Sequence, residues 1–206
     1  MKVLLINGSP HEKGCTYTAL SEVAAQLARE GVDSEIFWIG KGAVHGCVAC
    51  LACRNNGGRC AFADDAVNVI IEKMAQCDGM VIGSPVYFAS ANGALCAVMD
   101  RVFYAASRQM RGKVGASVVS CRRGGASAAF DRLNKYITYA GMALAGSTYW
   151  NSVHGNTPEE VLRDEEGLQT MRHLGASIAW LLRAKQAGGE AQAAFEPTGI
   201  RTNFIR

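Results

Sequence analysis

The chain has 206 residues, of which 49% are apolar and 19% charged, and its formal net charge is +3. This composition suits one globular domain, numbered 1–206, with a sizeable core, and it excludes a disordered chain. The charge is mild and no run of Lys or Arg stands out, so nucleic acid is not an expected partner.

The apolar run Val3–Ile6 ends after four residues at Asn7-Gly8, too short for a secretion signal. Nowhere do 18 apolar residues follow one another, so no membrane span is expected and the cytoplasm is the expected location.

Lys2–Ile6 reads as a strand buried on both faces. Tyr17–Arg29 has helical spacing and is followed by Gly31. Ser34–Ile39 is a second strand. Residues 41–64 form a Gly- and Cys-rich insertion without a period. Asp65–Gln76 is a helix, Gly79–Gly83 a third strand and Ala91–Ser107 a helix. Val114–Ser120 is a fourth strand, Ala126–Ala140 a helix and Ala143–Tyr149 a fifth strand. Thr157-Pro158-Glu159-Glu160 opens a last helix expected to run to about Gln186. Strands and helices that alternate in this way predict one open α/β sheet covered on both faces. Right-handed crossovers bring the C-terminal ends of the strands to one edge, where ligands bind.

The first loop at that edge is Gly8-Ser9-Pro10-His11-Glu12-Lys13-Gly14-Cys15-Thr16. Three common phosphate loops fail here on spacing. A dinucleotide fingerprint needs Gly where Pro10 stands, and a P-loop needs Lys where Cys15 stands. A low-molecular-weight phosphatase loop needs Arg where Ser21 stands. An FMN phosphate loop remains, with hydroxyls from Ser9 and Thr16 and backbone amides from Gly14, Cys15, Thr16, Tyr17 and Thr18. The alternative is an ordinary strand–helix connection.

The next loop, Gly83-Ser84-Pro85-Val86-Tyr87-Phe88, resembles the G-S-P-x-Y segment of the NADPH-dependent FMN reductase branch of the flavodoxin-like superfamily. That resemblance runs from Asn7-Gly8-Ser9-Pro10 to the last helix. It implies a three-layer sandwich around a five-stranded parallel sheet of order 2-1-3-4-5. It also implies an FMN-dependent oxidoreductase, with NAD(P)H or a ferredoxin-like carrier as electron donor. Pro85, Val86, Tyr87 and Phe88 would lie along the flavin ring. Gly124 and Gly125 permit close backbone approach, and Arg122 or Arg123 would place a cation at the ring's edge.

Four of the eight cysteines are clustered as Cys47-x2-Cys50-x2-Cys53-x6-Cys60. Four thiolates suit a [4Fe–4S] cluster or zinc. Free thiols or a redox disulfide are the alternatives. The spacing resembles the compact motif of iron–sulfur flavoproteins, which share this fold, and a cluster held here is expected near the flavin. Trp150-Asn151-Ser152-Val153-His154-Gly155 resembles a stretch of the same subgroup and is a candidate substrate or subunit contact; the alternative for His154 is a structural loop histidine. Three functions stay open: an electron-transfer flavoprotein with a cluster, a cluster-free NAD(P)H:FMN or quinone reductase, and a thiol-based redox sensor. The apolar tail Thr202–Arg206 suggests docking on a second subunit, in a homodimer or homotetramer.

Overall fold

A computed structural model describes residues 1–189 and 202. Five strands carry the sheet: β1 (Lys2–Asn7), β2 (Asp33–Trp38), β3 (Gly79–Tyr87), β5 (Val114–Cys121) and β6 (Ala143–Leu144). They pair in the order β2-β1-β3-β5-β6, all in parallel. Two short strands complete it: β4 (Ser90–Ala91) folds back antiparallel on β3, and β7 (Ser152–His154) runs parallel to the end of β5.

Period-two alternation distributes the apolar side chains between two layers. Leu4, Ile6, Met80 and Ile82 face one core, with α2 (Ala66–Ala75), α3 (Gly93–Met110) and α4 (Ala126–Tyr139) packed on it. Val3, Leu5, Val81 and Val118 face the other, covered by α1 (Cys15–Arg29) and α6 (Glu165–Ala187). The result is the expected flavodoxin-like sandwich. Among the described residues no helix is long and apolar enough to cross a membrane.

Two expected elements are broken. The fifth strand does not run through 143–149 but splits into β6 and β7. Ser147 Oγ bonds Asn151 Oδ1 and the carbonyl of Tyr149, both at 2.7 Å. Asn151 Nδ2 donates to the carbonyl of Ser117 at 2.9 Å. These side-chain bonds replace ladder bonds and loop the chain out. The last helix is likewise two: α5 (Pro158–Val161), capped by Thr157, and α6, capped by Asp164. Asp164 accepts from Gly167 N through one oxygen and from His154 N through the other, which ends the first helix and ties it to β7. The tail residues 203–206, read as a docking element, lie outside the described residues.

Candidate functional site

The C-terminal ends of β1, β2, β3, β5 and β7 open into a cavity of about 790 Å³. That volume falls in the range of small-molecule sites. Ser9, Gly14, Cys15 and Thr16 line it from the first loop, Pro85, Val86 and Tyr87 from the third strand, and Arg122 from beyond β5. Of the two arginines considered for the ring edge, Arg122 lines the cavity and Arg123 does not.

The first loop is wound by its own side chains. Asn7 Oδ1 accepts from Ser9 N, Asn7 Nδ2 donates to the carbonyl of Glu12, and Ser9 Oγ accepts from His11 N. Trp38, at the end of β2, donates from Nε1 to the carbonyl of Ser9 at 2.7 Å. The loop then enters α1 at Gly14, which supplies no side-chain cap. The first-turn N–H groups of a 15-residue helix are thus directed at the cavity without a capping side chain. This arrangement fits a phosphate. Thr16 is buried, and its hydroxyl meets that of Ser120 at 2.9 Å. Cys15 Sγ lies 3.8 Å from the carbonyl of Gly155. Burial pushes its thiol pKa up, helped by Glu160 and Glu159 and opposed by a backbone hydrogen bond. It therefore sits in the site as a neutral thiol.

The third loop is a hairpin. Val86 pairs with Ala91 and Tyr87 with Ser90, leaving Phe88-Ala89 as a two-residue turn. Both turn residues have positive φ, 49° and 57°, in a position that favours Asn-Gly. Backbone strain of this kind clusters at functional sites. Phe88 is 106% exposed and stands outside the cavity lining. Tyr17, Thr18, Gly124 and Gly125 also stand outside it. Gly125 instead shapes the wall: it has φ of 91°, and a Cβ there would come within 2.6 Å of Ala89 Cα. His154 does not line the cavity, and its half-exposed ring has Nδ1 3.8 Å from Asp164 Oδ2.

Sequence reasoning placed Ser120 in the loop after the fourth strand that completes the pocket, but missed Trp38 and Lys41; all three line the same cavity. The usable signal was positional, since the second strand must end at the same edge as the first.

The four cysteines Cys47, Cys50, Cys53 and Cys60 line one pocket against α3, with Phe62, Arg101, Tyr104 and Ala105. All four are free thiols. Cys47 and Cys50 are exposed, on a stretch with positive φ at Ala49 and Leu51. Cys60 is fixed: its N–H donates to Asn68 Oδ1 at 2.8 Å, and Asn68 Nδ2 donates to the carbonyls of Cys60 and Phe62. The loop lies so close to α3 that a Cβ on Gly58 would fall 3.2 Å from the carbonyl oxygen of Ala105. Among the described residues no three His, Cys, Asp or Glu side chains are drawn together as one metal ion requires. The four thiols nevertheless line one pocket, and as a donor set four thiolates suit a cubane, which spreads its ligands over four irons. This pocket and the cavity at the strand ends have no lining residue in common.

Comparison with known proteins agrees with this geometry. Residues 1–157 match the family described as NADPH-dependent FMN reductase. An iron–sulfur flavoprotein of Methanocaldococcus jannaschii is 31% identical over 196 residues, covering 89% of this chain and 98% of its own. An iron–sulfur flavoprotein of Methanosarcina thermophila is 29% identical over 192 residues, covering 90% and 97%. Among solved structures, RosB with bound 8-demethyl-8-formylriboflavin-5'-phosphate superposes with a TM-score of 0.71 at 16% identity, covering 100% of this chain and 92% of that one. At that identity the likeness concerns the fold alone. With its doubly covered parallel sheet and its cavity at the strand ends, the chain belongs to the NADPH-dependent FMN reductase family and is an FMN-dependent oxidoreductase.

Proposed function

We propose that this chain is an electron-transfer flavoprotein in which FMN occupies the cavity at the strand ends and Cys47, Cys50, Cys53 and Cys60 hold a [4Fe–4S] cluster. One observation carries the flavin placement: the uncapped first turn of α1 opens into the same cavity that Pro85–Tyr87 and Arg122 line. The first-turn amides of Cys15, Thr16 and Tyr17, with the hydroxyls of Ser9 and Thr16, hold the phosphate; the expected amides of Gly14 and Thr18 are instead bonded to the carbonyls of His11 and Gly14. Pro85, Val86 and Tyr87 flank the ring, and Phe88, Gly124 and Gly125 form the outer wall. The Arg122 cation stands where it stabilises negative charge on the reduced ring. FMN, when bound, accepts a hydride from NAD(P)H and releases its electrons singly.

The cluster reading is supported by four cysteines around one pocket and by the iron–sulfur flavoproteins among the relatives. A reducing cytosol, which keeps such thiolates available, is the compartment this reading fits. The physiological partner is then a small oxidant or an electron-carrier protein. Assembly as a homodimer or homotetramer is supported by the exposed Tyr104 and Tyr139, which border a groove between α3 and α4. Residues 1–206 act as one unit, with the cysteine segment as an insertion.

The test is reconstitution without air. Wild type incubated with iron and sulfide should bind iron and gain broad visible absorbance, and Cys50→Ser should not. NADPH oxidation should require added FMN. Flavin-dependent turnover with no more bound iron than in Cys50→Ser would favour the cluster-free reductase. Negligible turnover with reversible thiol oxidation would favour the redox sensor.

A further inference from the structure

Arg101 lies on the inner face of α3 and is only 2% exposed, although it carries a permanent charge. Four acceptors surround its guanidinium. Nη1 donates to the Asp65 carboxylate and, at 3.2 Å, to the carbonyl of His45. Nη2 donates to the carbonyl of Phe62 at 3.1 Å. Nε donates to Sγ of Cys60 at 3.3 Å.

Packing alone does not call for this residue. A methionine or leucine would fill much of the volume without burying a charge, and such replacements of buried ion pairs are often neutral or stabilising. The three oxygen contacts fasten the cysteine loop to α3. The fourth donor reaches a sulfur of the four-cysteine pocket, which Arg101 itself lines.

The geometry points to Arg101 as a positioning residue that sets the reduction potential of the cysteine-bound centre through Cys60. This inference rests on the cluster reading above. Hydrogen bonds to ligand sulfurs and nearby net charge are among the factors that set such potentials. Reduction adds negative charge to the centre and its sulfurs, so a cationic donor at Cys60 favours the reduced form. Asp65, bonded to the same guanidinium, partly cancels that field. The step affected is a one-electron reduction. In the test, dithionite supplies the electron and is oxidised, no protein bond breaks and no proton moves.

The opposed charges allow a test by sign. The full chain is reconstituted anaerobically as wild type, Arg101→Gln, Arg101→Lys and Asp65→Asn. Reduction potentials are read from the EPR signal of the reduced centre during dithionite titration. FMN binding at the separate cavity reports folding, and Asn at position 65 keeps an acceptor for the cap that Val67 N requires. Arg101→Gln should shift the potential to more negative values, Arg101→Lys less so, and Asp65→Asn to more positive values. A role confined to fastening the loop gives no shift, or shifts of the same sign for Arg101→Gln and Asp65→Asn, and either result overturns the inference. If the Arg101 variants fail to bind FMN, Asp65→Asn decides alone: a positive shift supports the inference and an unchanged potential overturns it. A wild type that takes up no iron defeats the cluster reading and this inference together. A loaded wild type with unmoved variants defeats the inference only.

Discussion

The hydroxyl oxygens of Thr16 and Ser120 stand 2.9 Å apart and join the first turn of α1 to the end of β5 at the strand-end cavity proposed to take FMN. Two hydroxyls carry two hydrogens between them, and their mutual bond uses one. One hydrogen remains to meet a phosphate, whichever residue supplies it. Thr16→Ala and Ser120→Ala should therefore each weaken FMN by about 0.5–1.5 kcal/mol, with more if the bond is charge-assisted. The double variant should fall short of the sum, because the pair acts as a unit. Riboflavin affinity should change little. Calorimetric titration of the three variants with both ligands checks this, and equal losses for FMN and riboflavin would place the phosphate elsewhere.

Gly124 and Gly125 are adjacent but should respond differently to substitution. Gly125 has φ of 91° and lies against Ala89, whereas a Cβ on Gly124 would meet nothing within 4 Å. Gly125→Ala should displace the hairpin 86–91 and cost about 1–2 kcal/mol from the left-handed backbone alone. Gly124→Ala should leave flavin affinity and stability within about 0.5 kcal/mol of wild type. Urea unfolding and FMN titration measure both effects.

The thiols should separate into classes. Cys47 and Cys50 are exposed, Cys121 is buried, and Cys15 is half-buried with its pKa raised by burial. Because the thiolate is the nucleophile, Cys15 should react slowly with iodoacetamide at neutral pH while Cys47 and Cys50 react fast. FMN should slow Cys15 and Cys121 further, since both line the cavity, and leave Cys47 and Cys50 unchanged. Peptide mapping of iron-free protein reads each rate.

Glu35 should give a pH-dependent stability component of known sign. Its pKa is lowered chiefly by the hydrogen bond from Lys73, against a burial effect that raises it, with Lys2 at 3.2 Å adding to the lowering. The stabilisation is present above the unfolded-state pKa and is lost as pH falls through the lower folded-state value. Glu35→Gln should therefore be less stable than wild type near neutral pH, by no more than about 1 kcal/mol for so exposed a pair. The difference should shrink in acid. Denaturant midpoints measured across that range test it.

Much of this was legible in the sequence. The alternating apolar runs specify the sheet, and Thr157-Pro158-Glu159-Glu160 marks a helix start at its observed place. The cavity-facing residues Ser9, Thr16, Pro85 and Tyr87 could be read from loops that end buried strands. What escaped depended on side chains meeting across long separations. Asp164 breaks the last helix because it also serves His154 N, and Asn151 opens the fifth strand because it reaches Ser117. Arg101 reads as an ordinary helical arginine, since its partners at 45, 60, 62 and 65 gather only when the insertion folds onto α3. Trp38 reads as an ordinary strand residue for the same reason, as its partner is the carbonyl of Ser9.

The central claim is that FMN sits in the cavity bounded by the start of α1, the end of β3 and Arg122. Titrating flavin-free protein into FMN at micromolar concentration, and following flavin fluorescence, tests it most directly. The account predicts quenching that saturates at one FMN per chain, weaker binding of riboflavin, and weaker FMN binding by Thr16→Ala. Fluorescence that stays at its free value, or quenching equal for FMN and riboflavin and indifferent to Thr16→Ala, would contradict it.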